Sequence, residues 1–181
     1  MSSEQVQLEM KKSPETSIQT RINDKNIEFK QWVTFHVNGE LFAVDALQVV
    51  EVKKYGEITP VPGSSVSISG LINLRGQVIT VIDTRIMFVL PYKAPDDQTN
   101  IILVDYNQDE TVGFIVDSVD EVINIPTKSI DISPRVSGGD TKSAFVNGVA
   151  FYDKKMIIIL DIKKITSHLT SVESGSKSSA E

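Results

Sequence analysis

Five aspartates, Asp45, Asp83, Asp105, Asp117 and Asp161, each stand at the end of an apolar run. Two carboxylates brought together could work as general acid and base, or hold a hard cation. An aspartate at a strand end also accepts backbone N–H bonds in an Asx turn. Asp45 and Asp83 recur as Asp117 and Asp161 at matching places of an internal repeat, which favours the structural role. The two histidines, His36 in a strand and His168 in the tail, are not placed to share a metal, and the absence of cysteine removes thiolate sites and disulfides. Gly63-Ser64-Ser65-Val66-Ser67 only resembles a nucleophile elbow. Gly138-Gly139-Asp140-Thr141-Lys142-Ser143 lacks the glycine before its lysine that a phosphate loop needs. No catalytic constellation, cofactor motif or metal site emerges.

One cation stands out instead. Gly70 and Gly76 bracket a short strand, and Asn73-Leu74-Arg75-Gly76 reads as its turn into the next, with Gly76 supplying positive φ. That puts Arg75 at a tip, where its planar five-donor head can meet a carboxylate. This is binding chemistry rather than catalysis.

The elements that must carry such a tip are strands. Trp32 to Val37 is β-branched and aromatic, and Asn38-Gly39 is a hairpin signal leading into Leu41 to Val44. Gln77 to Ile82, Asn100 to Val104, Val112 to Val116 and Met156 to Leu160 are apolar runs of strand length, suited to strands covered on both faces. Short helices are expected over Asp45 to Glu51, with Asp45 as N-cap, and over Thr127 to Ile130. Residues 1–28 read as a loose arm with a helical turn near Ile18 to Ile22, and residues 167–181 as a flexible Ser-rich tail. The expected ordered domain is 29–166.

The chain also repeats itself. Phe42-Ala43-Val44-Asp45-Ala46-Leu47 returns as Phe114-Ile115-Val116-Asp117-Ser118-Val119, an offset of 72 (117 − 45). Val81-Ile82-Asp83-Thr84-Arg85-Ile86 returns as Ile159-Leu160-Asp161-Ile162-Lys163-Lys164, an offset of 78 (161 − 83), and Gly70-Leu71-Ile72 as Gly148-Val149-Ala150 at the same offset. The reading is a duplication of roughly 70 residues and some five strands. Units that small bury only about 60% of their unfolded surface, so two copies sharing a core are expected.

A net charge of −6 with no basic stripe argues against nucleic acid. No uncharged apolar run approaches the ~18 residues of a membrane span, and the polar start lacks the order of a secretory signal. A cytoplasmic protein without membrane insertion is predicted.

Several of these motifs together resemble the CheW-type chemotaxis coupling proteins. The Arg75 segment is similar to their Gly-x-x-Asn-Leu-Arg-Gly, and Asp83-Thr84-Arg85 departs from their Asp-Leu-Arg only by Thr84. Phe42-Ala43-Val44-Asp45, Val49-Val50-Glu51-Val52 and Gly113-Phe114-Ile115-Val116-Asp117-Ser118-Val119 match further family patterns. The resemblance implies an all-β fold of two five-stranded SH3-like barrels packed together, with short helices, the lobes split and interleaved near residue 95. It implies no enzymatic activity and no cofactor. The implied partners are the regulatory domain of the histidine kinase CheA, itself a double barrel, and the cytoplasmic hairpin tip of chemoreceptors, in membrane-associated arrays. Val49, Glu51, Gly70 and Arg75 fall where the family builds its receptor surface, with Val119 and Val122 as candidates from the second lobe. Glu51 and Arg75 are expected to pair. Ile101 and Ile102 are the candidates for the kinase contact, a buried strand being the other reading. Motility by pili, or another output, is the alternative pathway, and a small hydrolase using strand-end aspartates the alternative class.

Overall fold

Two-residue turns set the register of the strands. The computed structural model describes residues 27–107, 110–132 and 144–176. It runs β1 (Phe29–Val37), β2 (Glu40–Asp45), β3 (Val49–Lys54), β4 (Ile68–Leu74), β5 (Gln77–Asp83), α1 (Thr84–Met87), β6 (Asn100–Asn107), β7 (Glu110–Val116), β8 (Ser118–Pro126), β9 (Val146–Tyr152), β10 (Lys155–Leu160) and α2 (Ile162–Ser176). Asn38-Gly39, Arg75-Gly76 and Asp153-Lys154 close β1–β2, β4–β5 and β9–β10, and every one of these turn residues has positive φ. Positive φ at both central residues matches the right-handed twist of the paired strands.

Ten strands form two five-stranded sheets, ordered β8-β1-β2-β10-β9 and β3-β6-β7-β5-β4. Replacing each strand of the first order by the one five places along the chain gives the second order. The repeat found in the sequence is therefore the repeat of the fold, with β1–β5 as one copy and β6–β10 as the other. Neither sheet belongs to one copy. The first takes β1 and β2 from the leading copy and β8, β9 and β10 from the trailing one, and the second reverses that division. The copies interlock through antiparallel β1–β8 and β3–β6 pairs and parallel β10–β2 and β5–β7 pairs.

In each sheet the segment that follows one outer strand, β3 or β8, meets the opposite outer strand, β4 or β9, at a single bridge rather than a continuous ladder. Thr59 and Leu71 exchange backbone bonds of 2.9 and 2.8 Å, and Asp131 and Val149 bonds of 2.8 and 2.9 Å. A glycine makes room at each point. A Cβ on Gly148 would lie 2.7 Å from the Asp131 carbonyl oxygen, and one on Gly70 (φ +145°) would collide with the Thr59 carbonyl oxygen.

The core has three parts. Trp32, Ala43, Ile123, Ile125, Ile157 and Ile159 fill one sheet's curve, and Ile72, Ile79, Val81, Ile101 and Leu103 the other's. The largest part lies between the sheets, where Phe35, Phe42, Phe88 and Phe145 stand in a file with ring centroids 6.0, 5.3 and 6.3 Å apart. A core on both faces explains why Ile101–Val104 and Ile157–Leu160 are buried at every residue.

Two expected elements differ. Asp45 caps only a three-residue 3-10 helix, Ala46–Gln48, because Val49 and Glu51 pair with Val104 and Leu103 and turn the chain to strand. The Ser-rich segment from Ser167 continues α2 to Ser176, since Ile162, Ile165 and Leu169 lie on one helical face and bury into the inter-sheet core. Thr127–Ser129 forms the expected single turn. The amino-terminal arm through Asn26, the 138–143 glycine stretch and residues 177–181 lie outside the described residues.

Candidate docking surface

Arg75 reaches the surface because its own backbone is left-handed (φ 52°), as is that of Gly76 (φ 89°). The Asn73 side chain steadies the turn, its Oδ1 accepting from the Gly76 amide at 2.9 Å. Arg75 Nη2 then donates to Glu51 Oε2 at 3.1 Å, across the seam between β3 and the β4–β5 tip. The Arg75 side chain is 80% exposed and that of Glu51 32%, so the pair adds no more than about 1 kcal/mol to the fold. The ion pair orients a cation toward solvent and does little else.

Strand alternation sorts the rest of β3. Val49 is half-buried against the inter-sheet core, while Val50 and Val52 face outward and are exposed, with Leu47 projecting from the 3-10 turn beside them. No turn or charge motif marks the outward valines; the signal for them in the sequence is period-two alternation from Val49. Val119, on β8 of the other sheet, leans on the same inter-sheet core as Val49, and Val122 is exposed. Gly70 is not a surface contact: it is buried under the Thr59 carbonyl, and its role is closure of the sheet. Ile101 and Ile102 are both 1% exposed, one facing the core inside their own sheet and one the inter-sheet core. No partner can touch them, which corrects the kinase contact expected there.

The aspartates are spent on structure. Asp45 accepts from the Leu47 amide at 3.0 Å and Asp161 from the Lys164 amide at 3.1 Å. Asp83 accepts from the amides of Arg85 and Ile86 at 2.8 and 3.1 Å, and Asp105 from the Thr111 hydroxyl at 2.5 Å. Asp117 is different. It takes both Nε and Nη2 of Arg85, at 2.8 and 2.6 Å, and the Asn38 amide at 2.7 Å, while Arg85 Nη1 donates to the Pro91 carbonyl at 2.6 Å. Burial alone would push the Asp117 carboxyl up, but the bonds from Arg85 and Asn38 outweigh it and hold it below its ordinary value. The Arg85 guanidinium is held above its own, chiefly by the bond to Asp117. This latch joins the β1–β2 turn, the β7–β8 junction and α1, residues of both copies. Asp83 and Asp117 line one shallow cavity with Arg85 between them. Asp83 is bound to the amides that open α1 and Asp117 to the Arg85 guanidinium, so neither carboxylate is left as the acid or base a hydrolase needs. Among the described residues no group of three or more His, Asp or Glu is placed to hold a metal, and no helix is long and apolar enough to cross a membrane.

Residues 31–170 match the family model of the CheW-like domain. The chain belongs to the CheW-like family. Within it, the chain is 33% identical to the chemotaxis protein CheW of Bacillus subtilis over 136 residues, 75% of this chain and 86% of that protein. It is 32% identical to the CheW of Thermotoga maritima over 141 residues, 78% and 90% of the two chains. Among solved structures it resembles the scaffolding protein TtCheW of Thermoanaerobacter tengcongensis, with a TM-score of 0.69, 40% identity and coverage of 75% of this chain and 90% of that one. The two five-stranded sheets are the CheW fold, and the chain is a CheW-type scaffold of chemotaxis, not an enzyme.

Proposed function

We propose that this protein couples a chemotaxis histidine kinase to the cytoplasmic hairpin tips of chemoreceptors. The observation that carries the reading is the exposed Arg75, held by Glu51 beside the outward apolar residues Val50 and Val52 of β3. A helical receptor tip would lay an apolar stripe along β3 and present a carboxylate or backbone carbonyl to Arg75. Val119 and Val122 extend that contact onto the second sheet. The kinase's regulatory domain packs elsewhere, barrel against barrel, on residues other than the buried Ile101 and Ile102. Coupling then rests on fixed geometry in the cytoplasm beneath the receptor array.

Arg75→Glu tests it. The substitution leaves urea unfolding within about 0.5 kcal/mol of the parent, as for other exposed sites. Affinity for a soluble receptor hairpin-tip fragment, read by calorimetry, falls about tenfold or more. Unchanged affinity, or loss of the fold, would overturn the assignment.

A further inference from the structure

The two copies of the repeat are joined by one connection. It runs from the end of α1 to β6, and residues 91–98 within it are exposed throughout. The other contacts between the copies among the described residues are non-covalent; they include the four inter-copy strand pairs, the Arg85–Asp117 latch, the bonds between Thr34 Oγ1 and the Glu121 backbone, the His36–Asp120 contact at 3.1 Å, and the shared core. One copy alone completes neither sheet, so its complement must come from somewhere. Nothing in those contacts requires that it come from the same chain.

The connection is also strained. Val89, exposed just past α1, has φ +55°. A β-branched side chain is a genuine outlier in the left-handed region. The Val89 amide is tied back to the Ile86 carbonyl at 3.0 Å and the Leu90 amide to the Arg85 carbonyl at 2.8 Å, which bends the chain sharply at this residue. Pro91 and Pro95 stiffen the stretch leading on to β6. Opening the connection into an extended segment returns Val89 to the β region it prefers. A strained hinge between exchangeable halves is the setting in which identical elements swap between protomers.

We infer that this protein forms an intertwined dimer with a second copy of itself, each double-sheet unit taking β1–β5 from one chain and β6–β10 from the other. The dimer needs no new interface, because the occupant of each half's surface is the same half from another molecule. It carries two Arg75 surfaces tethered through the opened 89–98 segments. The inference does not depend on what those surfaces bind.

The test uses the full chain, which has no cysteine of its own. His36 and Ser118 are directly paired across β1 and β8, one from each copy. In the variant His36→Cys/Ser118→Cys a disulfide between them is intrachain in the monomer and interchain in the intertwined dimer. The protein is refolded from urea at high concentration, separated by size, oxidised, and run on a denaturing gel without reductant. The expected result is a dimer fraction that persists on dilution and gives a covalent two-chain band, while the monomer fraction gives none. Val89→Gly, in the same background, is expected to lower the dimer yield about tenfold by removing the strain. Refolding that yields only monomer, or a dimer whose disulfides are all intrachain, would overturn the inference. So would a Val89→Gly yield equal to that of the parent.

Discussion

Asn73, Arg75 and Gly76 shape the β4–β5 tip, and Phe151, Asp153 and Lys154 occupy the same places of β9–β10, each 78 residues on. Both tips turn on two residues at positive φ, and both sheets meet their closing segment over a glycine. The parts that agree are backbone requirements: a left-handed turn, room for a carbonyl, and an aspartate to cap the helix after the last strand of each tip. The parts that differ point outward. One tip offers a guanidinium and an amide, the other an exposed Phe151–Met156 cross-strand pair. The fold was duplicated whole while its surface was free to diverge, so one small protein presents unlike faces.

The comparison breaks most visibly at the closure glycines. Gly70→Ala adds a collision with backbone to a strained φ and is expected to cost about 4 kcal/mol or more. Gly148→Ala meets its carbonyl at 2.7 Å without positive φ, and about 2 kcal/mol is expected. Urea midpoints measured side by side decide it; equal losses would show that closure, not backbone strain, sets the cost.

Next come the paired aspartates. Asp117 and Arg85 are 18% and 12% exposed, whereas the counterpart Asp45 pairs at 2.8 Å with a Lys30 that is 40% exposed. Asp117→Asn is expected to cost about 2 kcal/mol and Asp45→Asn under about 1. Because the Asp117 carboxyl is depressed in the fold, its stabilisation is complete above the ordinary value of 3.8 and is lost as pH falls through the lower folded value. Asp117→Asn should therefore flatten the acid limb of a stability–pH curve below about pH 4, while leaving no added slope at neutral pH. Acid titration of both variants by circular dichroism checks the sign.

The smallest effect concerns Thr84, whose counterpart 78 residues on is the buried Ile162. Both line a small apolar space between the sheets, with Phe35, Val44, Ile102 and Phe114. The Thr84 hydroxyl is buried there without a hydrogen-bond partner. Thr84→Val removes that unmet group at equal shape and is expected to raise stability by about 1 kcal/mol. A lower thermal midpoint for Thr84→Val would show that the hydroxyl is used.

Much of this could be read in the residues. The repeat landmarks fall on β2 and β7, β4 and β9, and β5 and β10, because they record local backbone needs that a sequence states directly. Arg75 at a tip could be read from its turn residues, while its pairing with Glu51 is implied by the family resemblance. The exchange of strands between copies comes only through the family resemblance, which implies interleaved lobes. Pairing partners such as β2 and β10 lie far apart in the chain, and no local pattern names them. The apolar run at Ile101 and Ile102 fits a surface patch or a doubly covered strand equally well until the second sheet is in place. Asp117 reads as one strand-end aspartate among five because its partner, Arg85, is 32 residues away. At α2 the helical spacing of Ile162, Ile165 and Leu169 is present but outnumbered by serines.

The parallel pairing of β10 with β2 has a consequence for how the protein is made. When Phe42 is added to the growing chain, its partner Ile158 is still 116 residues (158 − 42) from being synthesised. At bacterial elongation rates of about 5–20 residues per second, that wait lasts on the order of ten seconds. During it, the leading half is a set of sticky hairpins with no sheet to join. A nascent chain of this kind is a natural client for whatever shields apolar strands at the tunnel exit.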